Sequence, residues 1–238
     1  MVEALWLFDL DGTVLTMNSF PLWATDMLLG RLPQSSLSQR LSVSVRCAGA
    51  LARRKLLRGS HARLRRTLQR LWNEDAPRHT EARAGALVER LARHVRPSLA
   101  AVLADVAAGR ADAILTTAAV AEYAVPLARR LGFRHVIATP GGGRDDSVEN
   151  AGETKRKRTL AYIERQGWSG RPRVLFADTA ADLALARECT ALVWMGDTDT
   201  AYLPPEPAAR SVLLASDLHS TEAHDWVLNH SRGAWPCT

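Results

Sequence analysis

The sequence predicts an α/β fold, a Rossmann-like doubly wound parallel sheet with helices inserted after the first strand. The chain opens with a short apolar run, Leu5–Phe8, that ends in an acidic turn. No convincing strand follows between Asn18 and Arg96. Beyond Arg96, strand-like apolar runs alternate with helical patterns of roughly 10–15 residues, as in parallel sheets with helices on both faces.

The first element and the insert have different hydrophobic patterns. Every residue of Leu5–Phe8 is apolar, which indicates a strand buried on both faces. In the insert, Phe20–Leu29 looks helical, and Leu64, Leu68 and Leu71 recur on one helical face. The insert is therefore expected to form roughly four helices.

The second half of the chain supplies the rest of the predicted sheet. The strands are expected at Ala113–Thr117, Val136–Ala138, Val174–Ala177, Ala191–Met195 and Ser211–Ala215. The helices are expected at Leu99–Ala108, Val120–Leu131, Lys155–Gln166, Ala181–Glu188 and Thr221–Asn229. In sheets of this kind ligands bind at the carboxyl ends of the strands, so the turns after the strands are the places to search for a site.

Composition narrows the class of protein. The chain has 238 residues, 47% hydrophobic and 24% charged, as in ordinary globular proteins. Three cysteines do not make a disulfide scaffold, and no signal peptide or membrane-spanning run is recognisable, so a cytoplasmic protein is expected. The net charge of +6 is uneven, since residues 37–100 contain 15 basic and four acidic residues. Such a segment attracts anions, or is simply a solvated arginine-rich face.

The most informative motif is Asp9-Leu10-Asp11-Gly12, directly after the first strand. Two carboxylates this close repel each other unless a cation is present or one is protonated. The pattern favours a divalent-metal site with a second acid free for proton transfer. The alternative is structural, because Asp-Gly is a common turn and Asp9 could cap the next helix.

With this motif the chain resembles the haloacid dehalogenase superfamily of phosphohydrolases. Four motifs support the resemblance, in the family's order: Phe8–Val14 (FDLDGTV), Ile114–Ala118 (a strand ending in Thr), Gly152–Lys155 (a Lys before a helix) and Phe176–Asp182 (a strand followed by Asp-x-x-x-Asp). Only the first is specific alone. The superfamily places a helical cap between its first two motifs, which implies a cap at residues 17–98 and a core of residues 1–16 and 99–238.

The resemblance implies a role for each site residue. Asp9 would be the nucleophile that becomes phosphorylated, and Asp11 the general acid and base. Dehalogenases of the superfamily lack this second acid, so Asp11 favours phosphate chemistry. The phosphate would be bound by Gly12, Thr117, Ala118 and Lys155. A Mg²⁺ ion would be held by Asp9, the backbone carbonyl of Asp11 and Asp178, with Asp182 in support. Oxygen ligands suit Mg²⁺ independently of the family.

Two assignments have alternatives, and two positions depart from the closest subgroup. Lys157 is the alternative to Lys155, and Thr116 the alternative to Thr117. The subgroup contains phosphoserine phosphatases, which place a substrate-reading Glu where this chain has Asn18 and two glycines where it has Ala118-Ala119. Both differences disfavour phosphoserine. Trp23, in the presumed cap, is the one aromatic residue considered for contact with substrate.

The function expected from these residues is a Mg²⁺-dependent phosphomonoester hydrolase. Its substrate would be a small or lipid-linked phosphate ester, and the basic cap is also suited to weak contact with an anionic membrane surface. One alternative is a phosphotransferase that uses the same intermediate. Another is a non-enzymatic protein that binds nucleic acid or an anionic surface, although no specific nucleic acid is expected.

Overall fold

A computed structural model describes residues 4–31, 36–56, 60–74, 77–141, 148–196, 211–214 and 220–231. Within them the chain forms one sheet of six parallel strands in the order β3-β2-β1-β4-β5-β6. The strands are β1 (Leu5–Phe8), β2 (Ala113–Val120), β3 (His135–Thr139), β4 (Arg173–Ala177), β5 (Ala191–Trp194) and β6 (Ser211–Leu214). The predicted doubly wound α/β fold is confirmed.

The central strands form because their side chains are apolar on both faces. All four residues of β1 are buried, and its neighbours in the sheet bury most of theirs. Phe8 of β1 stacks on Phe176 of β4 with ring centroids 4.2 Å apart. Two separate clusters of buried side chains cover the two faces of the sheet. The sheet is thus a middle layer, as continuous hydrophobic runs predict.

Four α-helices lie within the described residues between Asn18 and Arg96, as expected for the insert. They are α1 (Ser19–Leu28), α2 (Leu37–Leu56), α3 (His61–Asn73) and α4 (Pro77–Ala92). The side-chain oxygens of Asn18 and Ser60 accept hydrogen bonds from the first turns of α1 and α3. The division into a core and a cap stays a prediction.

The later helices are α5 (Ala100–Ala107), α6 (Ala121–Arg130), α7 (Gly152–Arg165), α8 (Leu183–Ala186) and α9 (Ser220–Ser231). Two elements differ from expectation. The predicted helix Ala181–Glu188 is a 3₁₀ turn at Ala180–Asp182 followed by the short α8. Strand β2 continues to Val120 through an irregular register after Thr116. The predicted last strand is observed at Ser211–Leu214, and its final residue, Ala215, lies outside the described residues.

The insert contacts the core at several places, and the two that follow lie at its ends and at α3. Where the chain enters and leaves the insert, Leu15 and Val95 form an antiparallel bridge, and the Arg96 backbone N–H donates to the carbonyl of Val14 at 2.8 Å. Farther along, the Gln69 amide of α3 donates to the Glu122 carboxylate and to the carbonyl of Pro140, at 3.3 and 3.0 Å. The insert therefore packs on α6 and on the loop that follows β1.

Candidate active site

The strand order reverses between β1 and β4, and ligands of doubly wound sheets bind at this switch point. Asp9 follows β1 and Asp178 follows β4, so the topology places both acids at the same edge. The backbone N–H of Asp9 donates to the carbonyl of Phe176 at 3.0 Å, which extends the pairing past the end of β1. Asp9 is buried, with only 6% of its surface exposed.

Gly12 allows the loop after β1 to approach Asp178. Its φ of +76° is in the left-handed region, and a Cβ built there would lie 1.9 Å from the Asp178 Oδ2 atom. The Thr13 hydroxyl donates to Asp178 Oδ1 at 3.1 Å. The Arg96 guanidinium holds the same loop through hydrogen bonds to the carbonyls of Gly12 and Thr13. Glycine and these contacts fix the spacing between the two strand ends.

Lys155 connects two of the acids. It lies in the first turn of α7, and its ammonium donates to Asp9 Oδ1 at 2.7 Å and forms an ion pair with Asp182. Burial favours the neutral amine, but the charges and hydrogen bonds of the two carboxylates outweigh it and raise the pKa of Lys155 above its usual range. The alternative, Lys157, is exposed.

Three carboxylates form a group suited to a metal ion. One oxygen from each of Asp9, Asp178 and Asp182 lies within 4.8 Å of the others. Burial, with the charge of Asp9 adding to it, raises the pKa of Asp178 to about 6. The pKa of Asp182 is likewise raised to about 6, chiefly by burial and against the opposing charge of Lys155. The protein thus holds acids together in a place where their charges repel.

Asp11 has a different environment from Asp9. The backbone N–H of Ser19, at the start of α1, donates to Asp11 Oδ1 at 2.9 Å. The hydroxyl groups of Ser19 and Tyr123 share a buried hydrogen bond of 2.8 Å. Burial, partly offset by the hydrogen bonds from Ser19, raises the pKa of Asp11 to about 6. A carboxyl group with this pKa can both donate and accept a proton near neutral pH.

The end of β2 supplies the other side of the site. Ala118 lines the cavity, whereas the side chain of Thr117 is buried and its hydroxyl oxygen accepts from the Ala119 N–H at 3.1 Å. The alternative residue, Thr116, is buried against α7, where its hydroxyl bonds that of Thr159 at 2.9 Å. Neither threonine lines the cavity itself, and Thr117 is the one that directly precedes Ala118, which does.

A cavity of about 350 Å³ opens over these groups. Its lining comprises Asp9, Asp11, Gly12, Thr16, Met17, Asn18, Ala118, Ala151, Lys155, Asp178, Thr179, Ala181 and Asp182. Within this lining four carboxylates face one ammonium group, so the site is strongly negative. An anionic substrate can enter only with compensating positive charge, which a divalent cation on the three clustered acids would provide.

Comparisons with known proteins identify the family of the chain and relatives of its fold. A family model described as haloacid dehalogenase-like hydrolase matches residues 6–187. The chain belongs to this family. The match begins in β1 and ends after α8, so it includes all the predicted site residues. The prediction of a hydrolase of the haloacid dehalogenase superfamily is confirmed.

Solved structures with low sequence identity share the fold. A protein of unknown function from Bordetella pertussis has 18% identity and a TM-score of 0.70, with 90% of this chain and 99% of that chain covered. A probable phosphoserine phosphatase from Vibrio cholerae has 15% identity and a TM-score of 0.59, with 95% and 65% covered. A phospho-aspartyl intermediate analogue of phosphoserine phosphatase has 12% identity and a TM-score of 0.53, with 95% and 99% covered. No curated protein matches the chain in sequence.

Several residues that shape the site were not predicted. Ser19 and Tyr123 hold the loop of Asp11, and Asn150 donates from its side-chain amide to the carbonyls of Thr117 and Ile137, both at 3.1 Å. These contacts join residues distant in the sequence, and no local pattern indicates them. Trp23, which had been considered for contact with substrate, does not line the cavity: its side chain is completely buried and packs on other aromatic rings.

Proposed function

We propose that this hydrolase is a Mg²⁺-dependent phosphomonoester hydrolase that forms an aspartyl-phosphate on Asp9. The observation that most supports it is the contact between the buried Lys155 ammonium and Asp9 Oδ1, at the edge of a cavity that also contains Asp11. A carboxylate nucleophile, a fixed cation and a second acid are the groups that phosphoryl transfer through a covalent intermediate needs.

The donor set fits Mg²⁺. Asp9 and Asp178 would hold the ion together with the backbone carbonyl of Asp11, and Asp182 would support it through its proximity to both carboxylates. All of these donors are oxygen atoms, which Mg²⁺ prefers, and their excess negative charge matches a divalent cation. When bound, the ion would neutralise charge on the phosphoryl oxygens and on the nucleophile.

In the first step a carboxylate oxygen of Asp9 attacks phosphorus, and the bond between phosphorus and the ester oxygen breaks. Asp11, in its protonated form, gives its proton to the departing oxygen, which leaves as an alcohol. In the second step Asp11 removes a proton from water as the water oxygen attacks phosphorus. The bond to Asp9 then breaks and inorganic phosphate is released, so Asp9 and Asp11 return to their initial states.

The remaining residues bind and orient the phosphoryl group. Lys155 provides a positive charge that Asp9 and Asp182 fix in position, so little reorganisation is needed during transfer. Thr117 would donate its hydroxyl proton to a phosphoryl oxygen, and the backbones of Gly12 and Ala118 would line the same pocket. Gly12, Ala118 and Lys155 line the cavity over Asp9, and Thr117 directly precedes Ala118.

The cavity suits a small phosphorylated molecule or the phosphorylated end of a lipid. We assign residues 17–98 as the cap, since Thr16, Met17 and Asn18 enter the insert directly from the cavity wall. Asn18 provides a neutral amide at the position where a charged amine would require an acid, and its side-chain oxygen is already bonded to the Phe20 N–H at 2.9 Å. Uncharged leaving groups are therefore favoured over amino acids.

The test is a panel of phosphate esters assayed for phosphate release with Mg²⁺, with EDTA and without added metal. We expect hydrolysis that needs Mg²⁺, and loss of at least about 10³-fold in kcat for Asp9→Asn, because the nucleophile is removed. Lys157→Gln is the control for substitution elsewhere in the protein and should keep the unmodified activity, since Lys157 is exposed on the helix α7 that also contains Lys155. Undiminished turnover in Asp9→Asn, or full activity in EDTA, would contradict the proposal.

A further inference from the structure

Helix α2 has an unusual outward surface. The side of this helix that faces the protein buries Val43 and Cys47. Large apolar side chains on its other side are exposed to solvent, with 75% of Leu37, 67% of Leu41, 69% of Val45 and 78% of Leu56 accessible. Most of the exposed large apolar side chains among the described residues belong to this one helix.

These residues lie on one continuous face. With about 100° of rotation per residue, six apolar residues of α2 fall within an arc of about 100° on the side opposite Val43 and Cys47, together with Ser38 and Lys55 at its two edges. We call them the outward face of α2: Leu37, Leu41, Val45, Ala48, Ala52 and Leu56, all exposed. A surface helix normally presents polar residues to water, so an apolar face over five turns indicates an interaction surface.

The same helix is strongly cationic. It contains four arginines and one lysine and no acidic residue. Together with α3 it borders a groove of about 740 Å³, lined by Arg46, Arg53, Arg54, Arg63 and Arg70 among others. The one acid in that lining, Glu74, is already bound to Arg46, with Nη2 and Oε1 2.8 Å apart. An apolar face therefore lies directly beside a groove of positive charge.

We propose that the outward face of α2 binds the surface of an anionic lipid bilayer. Apolar side chains would enter the boundary between headgroups and acyl chains while the neighbouring arginines meet lipid phosphates, as in interfacial amphipathic helices. A second copy of the chain would bring two acid-free cationic helices together, and like charges oppose that pairing. A nucleic acid would neutralise the arginines but leave the leucines in water. The inference does not depend on the proposed catalytic function.

The test is cosedimentation of the full-length protein with vesicles of phosphatidylcholine alone and of equal parts phosphatidylcholine and phosphatidylglycerol. We expect binding to the anionic vesicles that weakens as salt increases. The double variant Leu41→Ser/Val45→Ser should bind at least about tenfold more weakly, because the apolar face is interrupted. Val148→Ser is the matched control, since Val148 is 61% exposed but lies outside α2, and it should bind like the unmodified protein.

A second variant separates charge from apolar contact. Arg53→Gln/Lys55→Gln removes two exposed cations from α2 and should lose binding to anionic vesicles while keeping the circular dichroism spectrum unchanged. The proposal is overturned if the unmodified protein does not bind anionic vesicles, or if Leu41→Ser/Val45→Ser binds as well as Val148→Ser does. It is also overturned if the protein is a dimer that the serine variant converts to a monomer, because a second copy would then cover the face.

Discussion

Replacing Gly12 by alanine tests the geometry of the site without changing any charged group. The new Cβ would lie 1.9 Å from Asp178 Oδ2, whereas ordinary contacts begin near 3.4 Å, so the carboxylate must move by about 1.5 Å. A misplacement of about 1 Å costs roughly 10²-fold in rate. We therefore expect kcat to fall by about 10²-fold or more, equivalent to roughly 3 kcal/mol of transition-state stabilisation. Affinity for Mg²⁺ should fall by about 10- to 100-fold.

The effect of backbone strain at residue 12 must be separated from the effect of displacing the Asp178 carboxylate. Alanine in the left-handed region costs roughly 1–2 kcal/mol wherever it is placed. Gly167 has a φ of +72°, close to the +76° of Gly12, and a Cβ there would meet no heavy atom within 4 Å. Gly167→Ala is therefore the matched control. It should introduce the same backbone strain as Gly12→Ala but keep an activity within about twofold of that of the unmodified enzyme.

The assays are Mg²⁺-dependent phosphate release, Mg²⁺ binding by calorimetry, and urea unfolding of both variants. We expect similar losses of stability in the two variants and a loss of activity in Gly12→Ala alone. Equal activity and equal Mg²⁺ affinity in Gly12→Ala and Gly167→Ala would refute the view that Gly12 sets the position of Asp178.

Three other perturbations test the packing of the insert and of the sheet. Arg90→Ala should lower the free energy of unfolding by about 3 kcal/mol in urea titrations, because the completely buried Asp26 carboxylate loses its cationic partner; a loss below about 1 kcal/mol would contradict this. Asn150→Ala should lower the free energy of unfolding by a similar amount, about 3 kcal/mol, since a buried amide that joins β2 and β3 is lost. A variant as stable as the unmodified protein would contradict this. Burial raises the pKa of Cys47 to about 11, so iodoacetamide at pH 8 should not label its thiol until urea is added, as peptide mapping can show. Prompt labelling without urea would place the thiol nearer the surface.

Local patterns were sufficient to predict the sheet and the acidic turn after β1, whereas Asp178 and Asp182 were assigned through the resemblance to the haloacid dehalogenase superfamily. A strand buried on both faces has no polar residue to interrupt it, so Leu5–Phe8 was recognisable as a strand. The turn after this strand adopts a left-handed backbone conformation that favours glycine, so Gly12 was recognisable as a turn residue. The alternation of strands and helices was also a local signal, and it implied parallel strands. Parallel strands place their carboxyl ends together, and this is physically why Asp9 and Asp178, which the resemblance paired, lie close to each other.

Contacts between distant segments were beyond this reasoning. The link from Ser19 to Tyr123 spans 104 residues, and nothing near either residue indicates the other. The burial of Trp23 could not be predicted either, because the sequence shows that an aromatic residue follows the first motif but not which side of α1 faces the other helices. The α-helix α8 is shorter than predicted because a 3₁₀ turn at Ala180–Asp182 replaces its start, and Asp182 in that turn forms the ion pair with Lys155.

The central claim is that a phosphoryl group is transferred to Asp9. The most direct measurement is to quench the enzyme in acid during turnover, reduce it with borohydride and sequence the peptide that contains β1. An acyl phosphate at Asp9 would be reduced to homoserine at position 9, and Asp9→Asn should give none. If single-turnover assays show phosphate release while position 9 remains aspartate, or if the phosphoryl group is found on another residue, the claim is wrong.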